Sequence, residues 1–177
     1  YENPSFLSTP GAKDVGIEFY TFSKTFNMAG WRLAFAAGND QMIEALNLIQ
    51  DHLFVGIFPA LQEAGIAALL DPKSEEAVAQ LNATYDSRRD AFVQAAAKIG
   101  WQAFPSRGSF YAWMPVPEGY TSESFADLLL EKAHVAVAPG KGFGPAGDAY
   151  VRIGLLVEPE RLVEAVDRIA NLQLFNN

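Results

Sequence analysis

The chain contains no cysteine. That excludes a disulfide framework and any thiolate-held metal. It is compatible with a reducing compartment, and the cytoplasm is the expected location. Histidine is nearly absent too, with only His52 and His134. They stand far apart and away from carboxylates at ligand spacing. Both read as ordinary helix residues, and no metal site is expected. Long hydrophobic runs are missing. Half of the 177 residues are hydrophobic, yet no apolar stretch reaches the roughly 20 residues of a membrane-spanning helix, so no membrane partner is expected. Positive charge is scarce, with 13 Lys and Arg against 21 Asp and Glu, a formal net charge of −8. No block of like charges occurs. Nucleic acid is therefore not an expected partner, since neutralising phosphates takes clustered Lys and Arg. There is no internal repeat and no low-complexity tract.

What is present suffices for one sizeable core, or for a large domain and a small one. Residues 1–14 contain Pro and Gly and read as a surface connection. Val15 to Phe22 is rich in β-formers and predicts a strand. Trp31 to Ala37 is nearly all apolar and predicts a second strand, buried on both faces. Asp40 is the expected N-cap of a helix over 41–53, with Met42, Leu46 and Ile49 as its stripe. A second helix is expected over 60–70. Asp71-Pro72 is expected to start a long helix ending near Lys98, with Val78, Leu81, Tyr85 and Phe92 buried and Arg88, Arg89 and Asp90 on a wet face.

Beyond Gly100 the character changes. Trp101–Phe104 and Ser109–Pro115 predict a hairpin around Pro105-Ser106-Arg107-Gly108. A helix is expected over Ser122–His134, with Phe125, Leu129 and Lys132-Ala133 in period. Short strands are expected at Val135–Ala138 and Tyr150–Leu156, flanking a glycine loop over 139–147. Glu158-Pro159 starts a last helix with Leu162, Val166, Ile169 and Ala170 as its stripe. The glycine loop is not a nucleotide loop. Lys141 is followed by Gly142 rather than Ser or Thr, and a strand rather than a helix follows.

The most informative stretch is Ser23-Lys-Thr-Phe-Asn-Met-Ala-Gly-Trp-Arg-Leu-Ala34. A lysine follows a hydroxyl residue just after a β-prone run, and an arginine comes eight positions later beyond the small pair Ala29-Gly30. A lysine supplies the primary amine that forms a covalent bond to a carbonyl. A hydroxyl and a guanidinium suit a phosphate. Small residues let backbone approach a ligand.

This stretch resembles the cofactor-lysine signature of the class I/II aminotransferases, fold-type I enzymes that use pyridoxal 5′-phosphate. The wording Asn-Met-Ala-Gly-Trp is most similar to the branch with LL-diaminopimelate aminotransferase and bacterial methionine-salvage transaminases. The resemblance implies that Lys24 is the Schiff-base lysine, and that Ser23 and Arg32 hold the cofactor phosphate. Thr21 stands where the family usually has serine or glycine, but it keeps the hydroxyl. The resemblance also implies that Arg152, in Tyr150-Val-Arg-Ile-Gly154, clamps the substrate α-carboxylate; a structural ion pair is the alternative. Gly108-Ser-Phe-Tyr-Ala-Trp113 resembles the family's Gly-x-Phe-Tyr element, which brings Tyr111 toward the substrate; an aromatic core strand is compatible with the same pattern. Gly56 to Pro59 corresponds to a region that reaches the neighbouring subunit's site.

The resemblance covers essentially the whole chain. It implies an α/β fold: residues 1–72 as the C-terminal part of a cofactor-binding large domain, 73–99 as a connecting helix, and 100–177 as a small α+β domain. It implies amino-acid and 2-oxo-acid substrates and a homodimer. The family's Asp-x-x-Tyr contacts do not occur ahead of Lys24, and the chain opens on Tyr-Glu-Asn-Pro. The expectation is therefore the C-terminal half of a longer enzyme, inactive by itself. Another fold-type I enzyme, such as a C–S lyase, and a non-catalytic isolated domain are the alternatives.

Overall fold

The computed structural model describes residues 4–104, 106 and 108–175. The chain divides into two compact units, Tyr1–Gln80 and Leu81–Asn177. The division falls inside a helix of 25 residues, α5 (Ser74–Lys98).

In the first unit, residues expected to be a plain connection form local structure. A single 3-10 turn covers Phe6–Ser8, and a short helix α1 covers Ala12–Val15. The cause is Glu18, whose carboxylate accepts from Ser5 Oγ at 2.5 Å, Leu7 N at 3.3 Å and Phe6 N at 3.4 Å. Strand β1 (Ile17–Thr21) pairs antiparallel with β2 (Ala34–Gly38), from Ile17 opposite Gly38 to Thr21 opposite Ala34. Val15 thus belongs to α1, and Phe22 opens the next helix. Trp31 ends a 3-10 turn, Ala29–Trp31, instead of starting a strand. The expected two-face burial of β2 is not found. Ala34 and Phe35 are exposed and the rest half-buried, and β1 is the one strand paired with it among the described residues.

Two helices follow, α3 (Asp40–Leu53) and α4 (Pro59–Leu70). The α3 N-cap is Asn39, not Asp40. The Asn39 side chain accepts from Met42 N at 3.1 Å and donates to Asp14 O at 2.9 Å, which links the cap to α1. Asp40 becomes the first helical residue, where a negative charge meets the positive end of the helix. Of the expected stripe, Leu46 is half-buried, whereas Met42 and Ile49 are exposed. Gly65 explains the packing of α4. A Cβ there would meet Leu33 at 2.8 Å and Phe22 at 3.3 Å, so only glycine lets α4 lie against them. Phe22 is buried and sits in an aromatic cluster with Phe26 and Phe35.

Asp71 does not cap α5. It closes α4, its N–H donating to Ala67 O, and its Oδ1 accepts from Lys73 N at 2.8 Å. That turn delays α5 to Ser74.

The second unit holds the main core: Phe92, Ala95, Ala96, Trp101, Met114, Phe125, Leu129, Val151, Leu155, Leu162, Val166 and Ile169, with smaller partners. Strand β3 (Tyr111–Pro115) does not form the expected hairpin with residues 101–104, which are not a strand. The turn residues Pro105 and Arg107 lie outside the described residues. Trp101 is drawn into the core, its Nε1 donating to Pro115 O at 2.8 Å. The indole is buried with its one donor satisfied, as large aromatic side chains in a core usually are. The three-stranded antiparallel sheet has the order β3-β5-β4, with β4 at Ala138–Pro139 and β5 at Tyr150–Gly154. Val135 to Val137 therefore precede the strand expected there.

Helix α6 (Ser122–Leu128) carries a capping box between Thr121 and Ser124, the reciprocal arrangement that satisfies two orphan donors at a helix start. It widens into a π-helical turn, Leu129–Ala133, and stops at His134 in the left-handed region (φ 54°). Its buried positions are Ser122, Phe125, Ala126, Leu129 and Ala133; Lys132 is exposed. Helix α7 (Pro159–Ala170) buries Leu162, Val166 and Ile169 as its periodicity predicts.

Arg88, expected on a solvated face, is instead largely covered. Its side chain is 14% exposed, and Nη2 donates to Glu158 at 2.6 Å, next to the start of α7. Its Nε is buried with no hydrogen-bond partner among the described residues.

Candidate functional site

In the first unit the candidate residues cluster where β1 turns into α2 (Phe22–Thr25). Thr21 is the N-cap. Its Oγ1 accepts from Ser23 N at 3.1 Å and donates to Ser23 Oγ at 2.9 Å. The departure from serine or glycine at this position thus gives a working cap and a second hydroxyl beside the first. Lys24, in the same turn, has an exposed side chain. Tyr20 Oη donates to Thr25 Oγ1 at 2.9 Å, and its ring stacks on Phe35 at 5.2 Å. These contacts fix the turn from the strand side.

Arg32 closes the following 3-10 turn in the left-handed region (φ 54°, ψ 42°). A non-glycine residue there is uncommon and costs energy, so surrounding structure must hold it. One such contact is visible: Arg32 Nη1 donates to Ala29 O at 3.0 Å. The guanidinium keeps further N–H groups for an anion. Space above Gly30 is open, since an added Cβ would meet nothing within 4 Å.

The second unit presents a different chemistry. Arg152 lies in β5, opposite Trp113 of β3 and Ala138 of β4. Strand alternation sends its side chain to the face opposite the buried Val151 and Ile153. Its guanidinium carbon is 4.1 Å from the centroid of the Tyr111 ring and 4.1 Å from that of Phe143. The cation thus lies against two aromatic rings. Among the described residues no carboxylate lies within ion-pair distance of it. The structural ion pair considered as an alternative for Arg152 is therefore not found among them. Tyr111 is half-buried and also touches the Phe110 ring at 4.6 Å. It is part of the strand and a wall of the Arg152 site at once.

Phe143 was not legible as a site residue. It sits in the glycine loop, and no periodicity or spacing marks an aromatic in a loop. The loop itself consists of two 3-10 turns, Gly140–Phe143 and Pro145–Ala149. Its ends converge on Ser122, a fully buried hydroxyl. Ser122 Oγ donates to Asp148 Oδ1 at 2.7 Å and accepts from Lys141 N at 3.2 Å. Ser122 N donates to the same Asp148 oxygen at 3.2 Å. These bonds hold the Asp148 carboxyl below its ordinary range, the Ser122 hydroxyl contributing most and its N–H next. The Lys141 ammonium bonds Glu123 at 2.7 Å, and that hydrogen bond raises its pKa.

A separate cleft of about 280 Å³ lies on the Ile153 side of β5, walled by Phe92, Leu162 and Ile169 and rimmed by His134, Arg161 and Arg168. Both arginines bond the one Glu164 carboxylate, which offsets half of their charge.

A strand-to-helix turn bearing a hydroxyl pair, a lysine and a left-handed arginine belongs to a recognisable class. The fold matches solved aminotransferases of fold type I. Substrate-bound BacF of Bacillus subtilis has a TM-score of 0.91 and 47% identity, covering 97% of this chain and 44% of that one. The family model for aminotransferase class I and II matches residues 4–169, and the chain belongs to this family. It is 61% identical over 171 residues to the L-glutamine–4-(methylsulfanyl)-2-oxobutanoate aminotransferase of Bacillus subtilis, covering 97% of this chain and 42% of the relative. It is 48% identical over 169 residues to the LL-diaminopimelate aminotransferase of Moorella thermoacetica, covering 96% of this chain and 43% of the relative. The chain thus spans less than half the length of the relatives it matches.

Proposed function

We propose that the full-length protein bearing these residues is an aminotransferase. It moves an amino group between an amino acid and a 2-oxo acid with pyridoxal 5′-phosphate as cofactor. The observation that carries this reading is the exposed Lys24 in the first turn of α2, one residue after the Thr21–Ser23 hydroxyl pair.

The donors suit the cofactor. Two adjacent hydroxyls, the start of a short helix and a guanidinium with spare N–H groups match a phosphate. Lys24 supplies the amine that anchors the group covalently. When bound, the cofactor supplies an aldehyde carbon for amine attachment and a ring that takes up electron density from the substrate Cα. Lys24 Nζ removes the proton at Cα and returns one later in the cycle, as base and then acid. Arg152 takes the α-carboxylate through two parallel N–H bonds. That fixes rotation about Cα and so selects which bond is labile. Tyr111 supports that guanidinium from one side.

The relative at 61% identity favours an acceptor such as 4-(methylsulfanyl)-2-oxobutanoate over the diaminopimelate-related acid of the relative at 48%. A cytoplasmic homodimer completes the proposal. It is supported by the family, by the cysteine-free composition and by the apolar residues exposed around Phe54 and Val55. No helix among the described residues is long and apolar enough to cross a membrane.

The test is reduction of the cofactor-loaded full-length protein with borohydride, followed by peptide mapping. Label on Lys24 is the expected result. Label on Lys13 or Lys141 instead would overturn the assignment.

A further inference from the structure

We propose that the Ser122–Asp148 pair is a positioning latch for Arg152, holding the loop that lays Phe143 on the guanidinium so that its N–H edges stay aimed at a carboxylate. The inference rests on the reading of Arg152 as the carboxylate binder and adds what holds it ready.

The geometry is specific. Lys141 N and Asp148 Oδ1 stand at the two ends of the loop, and both bond one hydroxyl, Ser122 Oγ. Ser122 is fully buried, so this hydroxyl has little freedom to choose other partners. The loop ends are further locked by backbone contact. A Cβ on Gly140 would lie 2.1 Å from Gly147 O and 2.5 Å from Tyr150 O, and a Cβ on Gly147 would lie 2.1 Å from Gly140 O. Only two glycines permit this approach. Phe143 projects from the loop between these fixed ends. It meets Trp113 edge-on at 5.5 Å and Arg152 at 4.1 Å.

Phe143 is half-exposed, and the ring contacts seen for it among the described residues are those with Trp113 and Arg152. Its place over Arg152 therefore depends on the loop. An unstacked arginine samples many rotamers, and ordering it on binding weakens affinity. A guanidinium already held against two rings loses less, and one stacked on a ring face keeps its edges for in-plane hydrogen bonds. Asp148 acts through an acceptor atom. Both bonds from Ser122 go to the same oxygen, Oδ1, which an asparagine side chain reproduces.

The experiment uses the 177-residue chain and three variants: Asp148→Ala, Asp148→Asn and Phe143→Leu. NMR records the ring-current shift of the Arg152 Cδ protons. Sodium acetate is then titrated, with sodium chloride at matched ionic strength as control. In the unaltered chain the Cδ protons are expected upfield, and acetate perturbs the Arg152 signals. Phe143→Leu and Asp148→Ala are expected to remove much of the upfield shift and weaken acetate binding roughly three- to fivefold, the scale of one partly exposed cation–π contact. Asp148→Asn is expected to retain both. Phe143→Leu alters only a half-exposed loop residue, so its outcome does not hinge on folding. Unchanged shift and affinity in Asp148→Ala would overturn the latch. Equal losses in Asp148→Ala and Asp148→Asn would overturn it as well, since charge rather than acceptor geometry would then be at work. Acetate that leaves Arg152 unperturbed in the unaltered chain would instead overturn the carboxylate reading, and that result is separable from failure of the latch.

Discussion

Arginine 152 concentrates the chemistry of the second unit in one side chain. Its guanidinium lies against the Tyr111 and Phe143 rings, and in the proposed role its planar fork takes a carboxylate in a way lysine cannot copy. A lysine keeps the charge but loses the bidentate geometry and the stacking plane. Arg152→Lys in the full-length protein is expected to lower kcat/KM for amino acids by on the order of 2–5 kcal/mol, while cofactor retention is unchanged. Steady-state kinetics and cofactor absorbance on the same sample check both halves. An unaltered specificity constant would remove the carboxylate role. The sequence singled this residue out as a lone arginine among apolar strand residues, whereas its place against Tyr111 and Phe143 needed the structure. Phe143 was not singled out, because the contact depends on how two turns fold a glycine loop back onto the sheet. The Thr21 cap was half legible: the hydroxyl was visible, but its bond to Ser23 needed the geometry.

At the scale of elements, polar side chains decided several boundaries that hydrophobic pattern left open. Asn39 took the cap of α3, Asp71 closed α4, and Glu18 gathered residues 5–7 into a turn. Propensity alone ranks Asp and Asn alike at a cap, so neighbouring contacts chose between Asn39 and Asp40. Arg88 is the clearest case of tertiary override. Its register beside Arg89 suggests solvent, yet its side chain is largely covered and bonds Glu158 at the start of α7, with Nε lacking a partner among the described residues. Replacing a covered, partly unsatisfied arginine by an apolar residue of similar length removes the unsatisfied donor and keeps the packing. Arg88→Met is therefore expected within about 1 kcal/mol of the original stability. Arg88→Ala is expected to lose about 1–2 kcal/mol through the lost stem. Urea unfolding of the two variants decides it; equal losses would mean the ion pair with Glu158, not packing, dominates.

Acid dependence belongs to the same scale. Glu18 and Asp148 are both held below the ordinary carboxylate range, by Ser5 and Leu7 donors in one case and by Ser122 in the other. A depressed folded pKa means the unfolded chain binds protons first. The stabilisation is therefore fully present above the unfolded value of about 4, and is lost as pH falls through the lower folded value. The expected result is that the Phe6–Ser8 turn and the 140–149 loop loosen only in strong acid. Carboxyl carbon shifts followed against pH read each group directly. A Glu18 midpoint at or above the ordinary value would contradict its three donors.

For the whole molecule, the two units differ in how well their own residues cover them. The second has a continuous core around Trp101, Phe125 and Met114, and the α7 stripe Leu162, Val166 and Ile169 agreed with the sequence, although the strand expected at 101–104 did not form. In the first, two paired strands carry exposed faces, and Leu53, Phe54, Val55, Phe58 and Leu70 are all well exposed, Val55 at 90%. Apolar strands such as β2 predict burial by their composition. Here that burial is not met by the described residues, which is why the pattern and the structure disagree. A two-stranded ribbon with an exposed apolar face is marginal in water. Lys24, Thr21, Ser23 and Arg32 all sit on that unit. The 177-residue chain alone is therefore expected to retain no stoichiometric pyridoxal 5′-phosphate, although the lysine is present, while the second unit stays ordered. Two measurements check this. Cofactor absorbance after removal of excess ligand should be lost, and amide exchange should be protected around Trp101, Val151 and Ile169 but fast across β1 and β2. Retained cofactor with turnover of an amino acid and a 2-oxo acid would show that the residues of this chain suffice to build the site.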